Sequence, residues 1–360
     1  ARDHDPQPTT LVTWDVTMYC SYYNSNNKWL LLYLLIIVCC GVRYCTYPHT
    51  IDTHYTFPIS NVNNCSASYL NLVVVSDRNA SPVPLRAFVN SLLLYASRPI
   101  RLNVVSKVGI PWLEVLSSKE FLVYRHDPKE LIMRTETLIN ATGFKSTHYS
   151  ATFGVQKLFL PTLTYESGVE KVLVLDDDMV FYTDIAPLVN IVMKDTNAVS
   201  LYCPYDPLRI DKYFRGPNRE HNGHDKAYCI SGMMGLPLGE ETARLFEEAT
   251  KNMTREYPNA TYKVADQDIV NRYFAENNGG VQRIPCEWSC DVQSCNFKVG
   301  RCQNCPSKVC HSMHFTAGWY KTDLDMGKQQ WNWNYFDKFD PATVLRFTFR
   351  PRLNRTCSRW

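Results

Sequence analysis

Short, unbroken apolar runs punctuate this chain, and longer stretches with helical spacing lie between them. Asn71–Ser76 (NLVVVS) and Val172–Leu175 (VLVL) show no polar alternation, and Arg101–Ser106 (RLNVVS) reads as a second strand beside the first. Such runs predict strands buried on both faces of a parallel sheet. Between the first and second strands, a polar loop at Asp77–Val83 leads into Leu85–Ala96, where Phe88, Leu92 and Leu93 share one helical side. This strand–loop–helix–strand order predicts the start of a nucleotide-binding α/β sheet. Further on, Thr147–Leu160 predicts a helix, and Ala198–Cys203 and Cys229–Leu236 predict strands. Glu240–Asn252 predicts a helix with Ala243, Leu245, Phe246 and Ala249 on one face, while Cys286–Cys310 reads as irregular. The α/β body spans residues 69–350, without internal repeats.

The pattern changes before that body. Residues 1–28 form a polar tail with no helical period. Trp29–Val42 (WLLLYLLIIVCCGV) is apolar apart from a tyrosine hydroxyl and is bounded by Lys28 and Arg43. Its fourteen residues are fewer than the ~17–25 usual for a membrane span. It reads as a short signal anchor with snorkelling flanks, against a buried core helix or a signal-peptide core. Residues 43–68, with Pro48, Pro58 and many Asn, Ser and Thr, read as a stem.

Composition narrows the class. The chain has 360 residues, 45% hydrophobic and 20% charged, which is a globular balance with ample core. A net charge of +3, with no block of like charge, gives no electrostatic footprint for nucleic acid. Fourteen cysteines point to an oxidising compartment. Six Asn-x-Ser/Thr sequons, at Asn64, Asn79, Asn140, Asn252, Asn259 and Asn354, agree with a lumenal or extracellular face. The expected setting is a single-pass type II protein of the Golgi or endoplasmic reticulum membrane, with the body in the lumen. Cys286, Cys290, Cys295, Cys302, Cys305 and Cys310 contain only one C-x-x-C pair, so disulfides are expected there rather than zinc.

The chemistry concentrates at KVLVLDDDMVFYTD, Lys171–Asp184. Three carboxylates follow a buried strand, at the edge where open α/β sheets place ligands. Strand alternation would put Asp176 and Asp178 on one side and Asp177 on the other. Two hard oxygen ligands suit Mg²⁺ or Mn²⁺ holding a substrate diphosphate, and adjacent acids repel unless a cation sits among them. The bland reading is a solvated acidic turn. Asp266-Gln267-Asp268 precedes an apolar helix start and serves equally as a helix cap. His311 and His314 are followed by Gly318, which would let backbone approach a phosphate.

Taken in order, HYSATFGVQKLFLPTL, VEKVLVLDDDMVFYTDIAPL, ADQDIVNRYF, IPCEWSCDVQSC and HFTAGWYKTD resemble the family 8 glycosyltransferases over residues 70–335. The resemblance is to LARGE-type xylosyltransferase domains and glucoside xylosyltransferases. It implies a GT-A fold, a UDP-sugar donor, a glycan or glycoprotein acceptor, and transfer that retains anomeric configuration. Asp176, Asp178 and His314 would then hold Mn²⁺, with Mg²⁺ as the alternative. Lys157 and Asp177 would contact the donor sugar or ribose, and Ser76, Ser231 and Gly232 would belong to the same donor site. Gly318 and Lys321 would meet the diphosphate. Asp266 and Gln267 would face the reacting carbon, with Gln267 or Asp268 steadying the oxocarbenium-like sugar. One departure is Ile230, where the family usually has Asn before Ser-Gly or Thr-Gly. It puts sugar identity in question; the resemblance favours xylose, with glucose, galactose and glucuronic acid as alternatives. It also admits a catalytically silent relative that binds a glycan or a partner. A cytosolic metal-dependent phosphohydrolase would share the acidic strand end but not the sequons, anchor or cysteines.

Overall fold

A computed structural model describes residues 68–76, 83–147, 151–202, 229–262, 265–276, 281–291, 295–296, 301–302, 310–315 and 335–353. The chain divides into residues 1–58 and 59–360, and all described residues belong to the second unit. The polar tail 1–28, the Trp29–Val42 run and the stem expected over 43–68, apart from Ser68, lie outside them. Among the described residues no helix is long and apolar enough to cross a membrane.

The body is built on a seven-stranded mixed sheet in the order β3-β2-β1-β4-β7-β6-β8. Its strands are β1 (Leu70–Val75), β2 (Ile100–Val105), β3 (Phe121–His126), β4 (Lys171–Asp176), β6 (Val199–Tyr202), β7 (Ile230–Pro237) and β8 (Val281–Ile284). β1 to β4 are mutually parallel, and β7 runs antiparallel to both β4 and β6. The unbroken apolar runs have a direct cause. Leu173 and Leu175 enter one core cluster with Leu72 and Val74, while Val172 and Val174 enter another with Val73 and Val75. With both faces covered, the four positions between Lys171 and Asp176 are all apolar.

Helix α1 (Val83–Tyr95) covers the first face through Phe88, Leu92 and Leu93. Helix α2 (Lys129–Thr142) packs through Leu131 and Leu138 on the second, with α5 (Glu240–Glu256) and α6 (Asp266–Glu276). The helix expected over 147–160 is shorter: α3 spans Ala151–Gln156 and tightens into a 3₁₀ turn at Lys157–Thr162. Pro161, without an N–H and with a fixed φ, prevents the α-helix from continuing. Helix α4 (Ala186–Met193) follows the acidic turn.

A second sheet of three short strands, β5-β12-β9, joins Met179–Phe181, Ser312–His314 and Cys290–Asp291. The region expected to be irregular therefore contains β9, together with a two-residue ladder of β10 (Cys295–Asn296) and β11 (Arg301–Cys302). Cys290 and Cys310 form a disulfide, and Cys229 and Cys286 each belong to a different disulfide. The segment 335–353 returns to α1: the buried Asn90 amide donates to Phe336 O and Phe339 O, and Arg86 pairs with Asp337 at 2.7 Å.

β4 opens on a buried lysine. Lys171 Nζ donates to Asp195 O at 2.7 Å and Ser200 Oγ at 2.9 Å, tying β4 to the approach of β6. Burial pushes its pKa down to about 8, with Asp195 partly opposing. Above that value the folded chain has shed a proton that the unfolded chain keeps up to the ordinary lysine range, so stability rises with pH across this window. Lys171→Met cannot titrate there. Thermal unfolding of both proteins between about pH 7.5 and about pH 10 is expected to show the wild-type midpoint rising relative to the variant. A constant gap would contradict the assignment.

Candidate active site at the end of strand β4

The parallel run of β4 stops at Asp176, which stands beside Val75 at the end of β1. Asp177 and Asp178 do not continue the strand: they form the turn into β5. The separation of Asp177 from its neighbours is thus made by a turn, not by strand alternation. Asp177 is buried and accepts a hydrogen bond from Ser76 Oγ at 3.0 Å. Asp178 is also buried, and its carbonyl accepts from Phe315 N at 2.9 Å, which brings the β12 segment alongside.

β12 places His314 between the two outer acids. Its Nε2 lies 3.4 Å from Asp176 Oδ2 and 3.2 Å from Asp178 Oδ1. Burial alone would lower the imidazole pKa, but Asp176 and Asp178 outweigh it and raise it to about 10. Asp176 divides its oxygens. Oδ2 faces His314, while Oδ1 accepts from Lys157 Nζ at 2.9 Å. Lys157 is itself buried and lies 3.0 Å from Asp266 Oδ2. For Asp176, burial favours the neutral acid, but Lys157 and His314 prevail and hold its pKa well below the usual carboxylate range. For Lys157, the two carboxylates likewise overcome burial and hold its pKa above the ordinary lysine value. The result is one chain of acidic and basic side chains, buried except for the half-buried Asp176: Asp178, His314, Asp176, Lys157, Asp266. The repulsion expected among adjacent acids is relieved by these two cationic side chains.

The residues fit a divalent cation. One ligand atom from each of Asp176, Asp178 and His314 lies within 4.8 Å of the others, and the three supply two hard oxygens and one imidazole nitrogen. His314 Nδ1 is buried with no hydrogen-bond partner among the described residues.

Helix α6 is fixed to the same corner by its polar face. Gln267 Oε1 accepts from Ser231 N at 3.3 Å. Asn271, one turn on, accepts from Cys229 N at 2.7 Å and donates to Cys229 O at 2.8 Å. Ala265, just before α6, has φ 50, a left-handed conformation unusual for a residue with a Cβ. Asp268 is also buried and acts electrostatically on Tyr262. His311 lies against Trp288, ring centroids 4.7 Å apart, and its N–H donates to Glu287 O at 2.7 Å. Gly318 and Lys321 lie outside the described residues. An open hollow of about 370 Å³, lined in part by Pro161, Tyr165 and Gly239, holds none of the named site residues.

Two glycines make the close approaches possible. A Cβ on Gly232 would stand 2.3 Å from His314 Cε1, and one on Gly154 would stand 2.5 Å from Asp266 Oδ1. Gly232 was expected as a donor-site residue, and the structure shows the backbone clearance it gives the imidazole. Gly154 and Asn271 escaped the sequence reading. The spacing of Asn271 four residues after Gln267, on the same helical face, was the available signal. Gly232→Ala is expected to displace the imidazole and weaken Mn²⁺ binding by ~10-fold or more, read by titration calorimetry. Unchanged affinity would show that the imidazole can shift without loss.

The sequence model of glycosyl transferase family 8 matches residues 83–321. Human xylosyl- and glucuronyltransferase LARGE2 is 25% identical over 229 residues, covering 61% of this chain and 30% of the relative. Zebrafish LARGE2s is 31% identical over 147 residues, 39% of this chain and 19% of the relative. The chain thus matches less than a third of the length of either. Among solved structures, apo mouse xyloside xylosyltransferase 1 is similar with a TM-score of 0.54 at 16% identity, covering 69% of this chain and 98% of that one. The galactosyltransferase LgtC with donor and acceptor sugar analogs gives 0.53 at 17% identity, covering 79% and 100%. The fold is GT-A.

Proposed function

We propose, on the premise that this chain belongs to glycosyl transferase family 8, that it is a divalent-metal-dependent transferase acting on a UDP-sugar. It would move the sugar, xylose in preference, to a glycan or glycoprotein acceptor with retention of configuration. The observation that carries this reading is the convergence of Asp176, Asp178 and His314 beside the buried Lys157. Asp176, Asp178 and His314 would hold Mn²⁺ or Mg²⁺. A bound cation there supplies positive charge to the departing diphosphate. The Ser76–Asp177 pair at the end of β1 would meet the nucleoside. Lys157 pairs with Asp266 at 3.0 Å and fixes it, so that this carboxylate and the Gln267 amide can orient the sugar. Gln267 is held by Ser231 N, which restricts its side chain before any donor arrives.

Removing Asp178 takes away an oxygen ligand while leaving Asp176 paired to Lys157. Asp178→Ala is expected to lower UDP release from UDP-xylose by ~10²-fold or more and to abolish its stimulation by Mn²⁺. Full turnover of the variant in chelator-treated buffer would defeat the metal reading.

Xylose is supported by the names of the LARGE2 relatives and of the mouse enzyme, and by the chemistry of Ile230. Ile230 is half-buried and packs against the cluster that includes Met233, Ile284 and Trp288, giving an apolar wall beside Ser231. Xylose lacks the C6 hydroxymethyl group of glucose, and apolar bulk excludes that group sterically. In donor competition, wild type is expected to prefer UDP-xylose over UDP-glucose and UDP-galactose, and Ile230→Asn to narrow that preference. A hexose preference in wild type would overturn the sugar assignment and leave the transferase reading intact.

A secretory setting, with the body lumenal and one N-terminal anchor, is part of the same proposal. It is supported by the disulfide-bonded cysteines and by the exposure of Asn140 and Asn259 within their sequons. Glycosidase treatment of the protein from a eukaryotic host is expected to increase its mobility. No shift, with the protein recovered from cytosol, would reject that setting.

A further inference from the structure

The third member of the metal set has the weakest local support. Asp176 and Asp178 leave a strand buried in the middle of the main sheet, whereas His314 ends a strand of three residues. Isolated ribbons of this size are marginal in water. On one edge β12 is antiparallel to β5, with His314 opposite Met179. On the other it is parallel to β9, with Met313 opposite Cys290 and His314 opposite Asp291. β9 has only two residues and is covalently tied to Cys310, just before β12. Further ties run along the same wall: Ser312 Oγ donates to Trp288 O, and His311 N donates to Glu287 O. Cys290, Met313 and Phe315 are buried together with Val180 and Phe336 in a small cluster beneath this sheet.

We infer that the Cys290–Cys310 disulfide is a positioning element for His314, setting divalent-metal affinity by holding β12 between β5 and β9. The inference rests on the metal reading proposed above. The pairing with β5 brings His314 near Asp178, and the disulfide limits its sliding or peeling from the outer edge. Gly232 leaves no slack on the other side, since the imidazole already occupies the space of a missing Cβ. The cost of opening the disulfide therefore falls on imidazole placement, with the two carboxylates left in register.

The test is a double-mutant cycle on the full chain, with Mn²⁺ alone as probe and free ion read by electron paramagnetic resonance. Cys290→Ala/Cys310→Ala is expected to raise the Mn²⁺ Kd by ~10-fold, and to leave it within about 2-fold when introduced into His314→Ala. An unchanged Kd in the first background, or an equal loss in both, overturns the inference, the latter because it signals general loosening. Wild type that binds no Mn²⁺ overturns the metal reading and this inference together. Wild-type binding with no effect of the cysteine pair overturns this inference alone. If the alanine pair does not fold, Cys290→Ser/Cys310→Ser breaks the same covalent link with side chains close to cysteine in size. It must raise Kd in wild type and not in His314→Ala, and absence of that difference overturns the inference.

Discussion

The site depends on one buried cation, Lys157, lying between Asp176 and Asp266. Removing a charged group from water is costly, and removing one partner of a buried pair costs about 3–5 kcal/mol because the other is stranded. Here His314, Asp176 and Lys157 are each answered on both sides. Asp176 meets Lys157 with one oxygen and His314 with the other, so the cluster tolerates burial at the end of a hydrophobic strand. Lys157 also joins three parts of the fold: the 3₁₀ turn it opens, the end of β4, and the first residue of α6.

This arrangement couples architecture to chemistry. β4 is paired on either side by β1 and β7 and packed by core on both faces, so its carboxylate falls where the strand ends at the sheet edge. The antiparallel β7 brings Ser231 and Gly232 to that same edge, one bonding to Gln267 and the other clearing His314. Two sheets therefore meet at Asp176–Asp178, one supplying rigidity and the other supplying the imidazole. A set of ligands and dipoles held in place before substrate arrives requires little reorganisation during reaction.

Much of this was legible in the residues. The apolar runs located β1, β2 and β4 to within a residue or two because strands buried on both faces admit no alternation. The acids marked the edge, and the ordered motifs identified the family and fold. The role of Lys157 as counter-ion to two acids was hidden, since Asp266 is brought to it by tertiary folding alone. A glycine at 154 reads locally as a weak helix position, and only the packed Asp266 carboxylate explains it. The two-residue strands β9 to β11 are too short for any period to show. Asp177 and Asp178 were misassigned to a strand because carboxylates in a tight turn and on a strand end look alike in sequence.

The central claim is that Asp176, Asp178 and His314 form one metal centre at this sheet edge. Anomalous diffraction from crystals grown with Mn²⁺ and UDP tests it most directly. A single Mn²⁺ peak is predicted within about 2.0–2.6 Å of one oxygen from each aspartate and of His314 Nε2, with further coordination from the diphosphate. Diphosphate bound at the site without the ion, or an ion bound with His314 still paired to the carboxylates, would contradict the account.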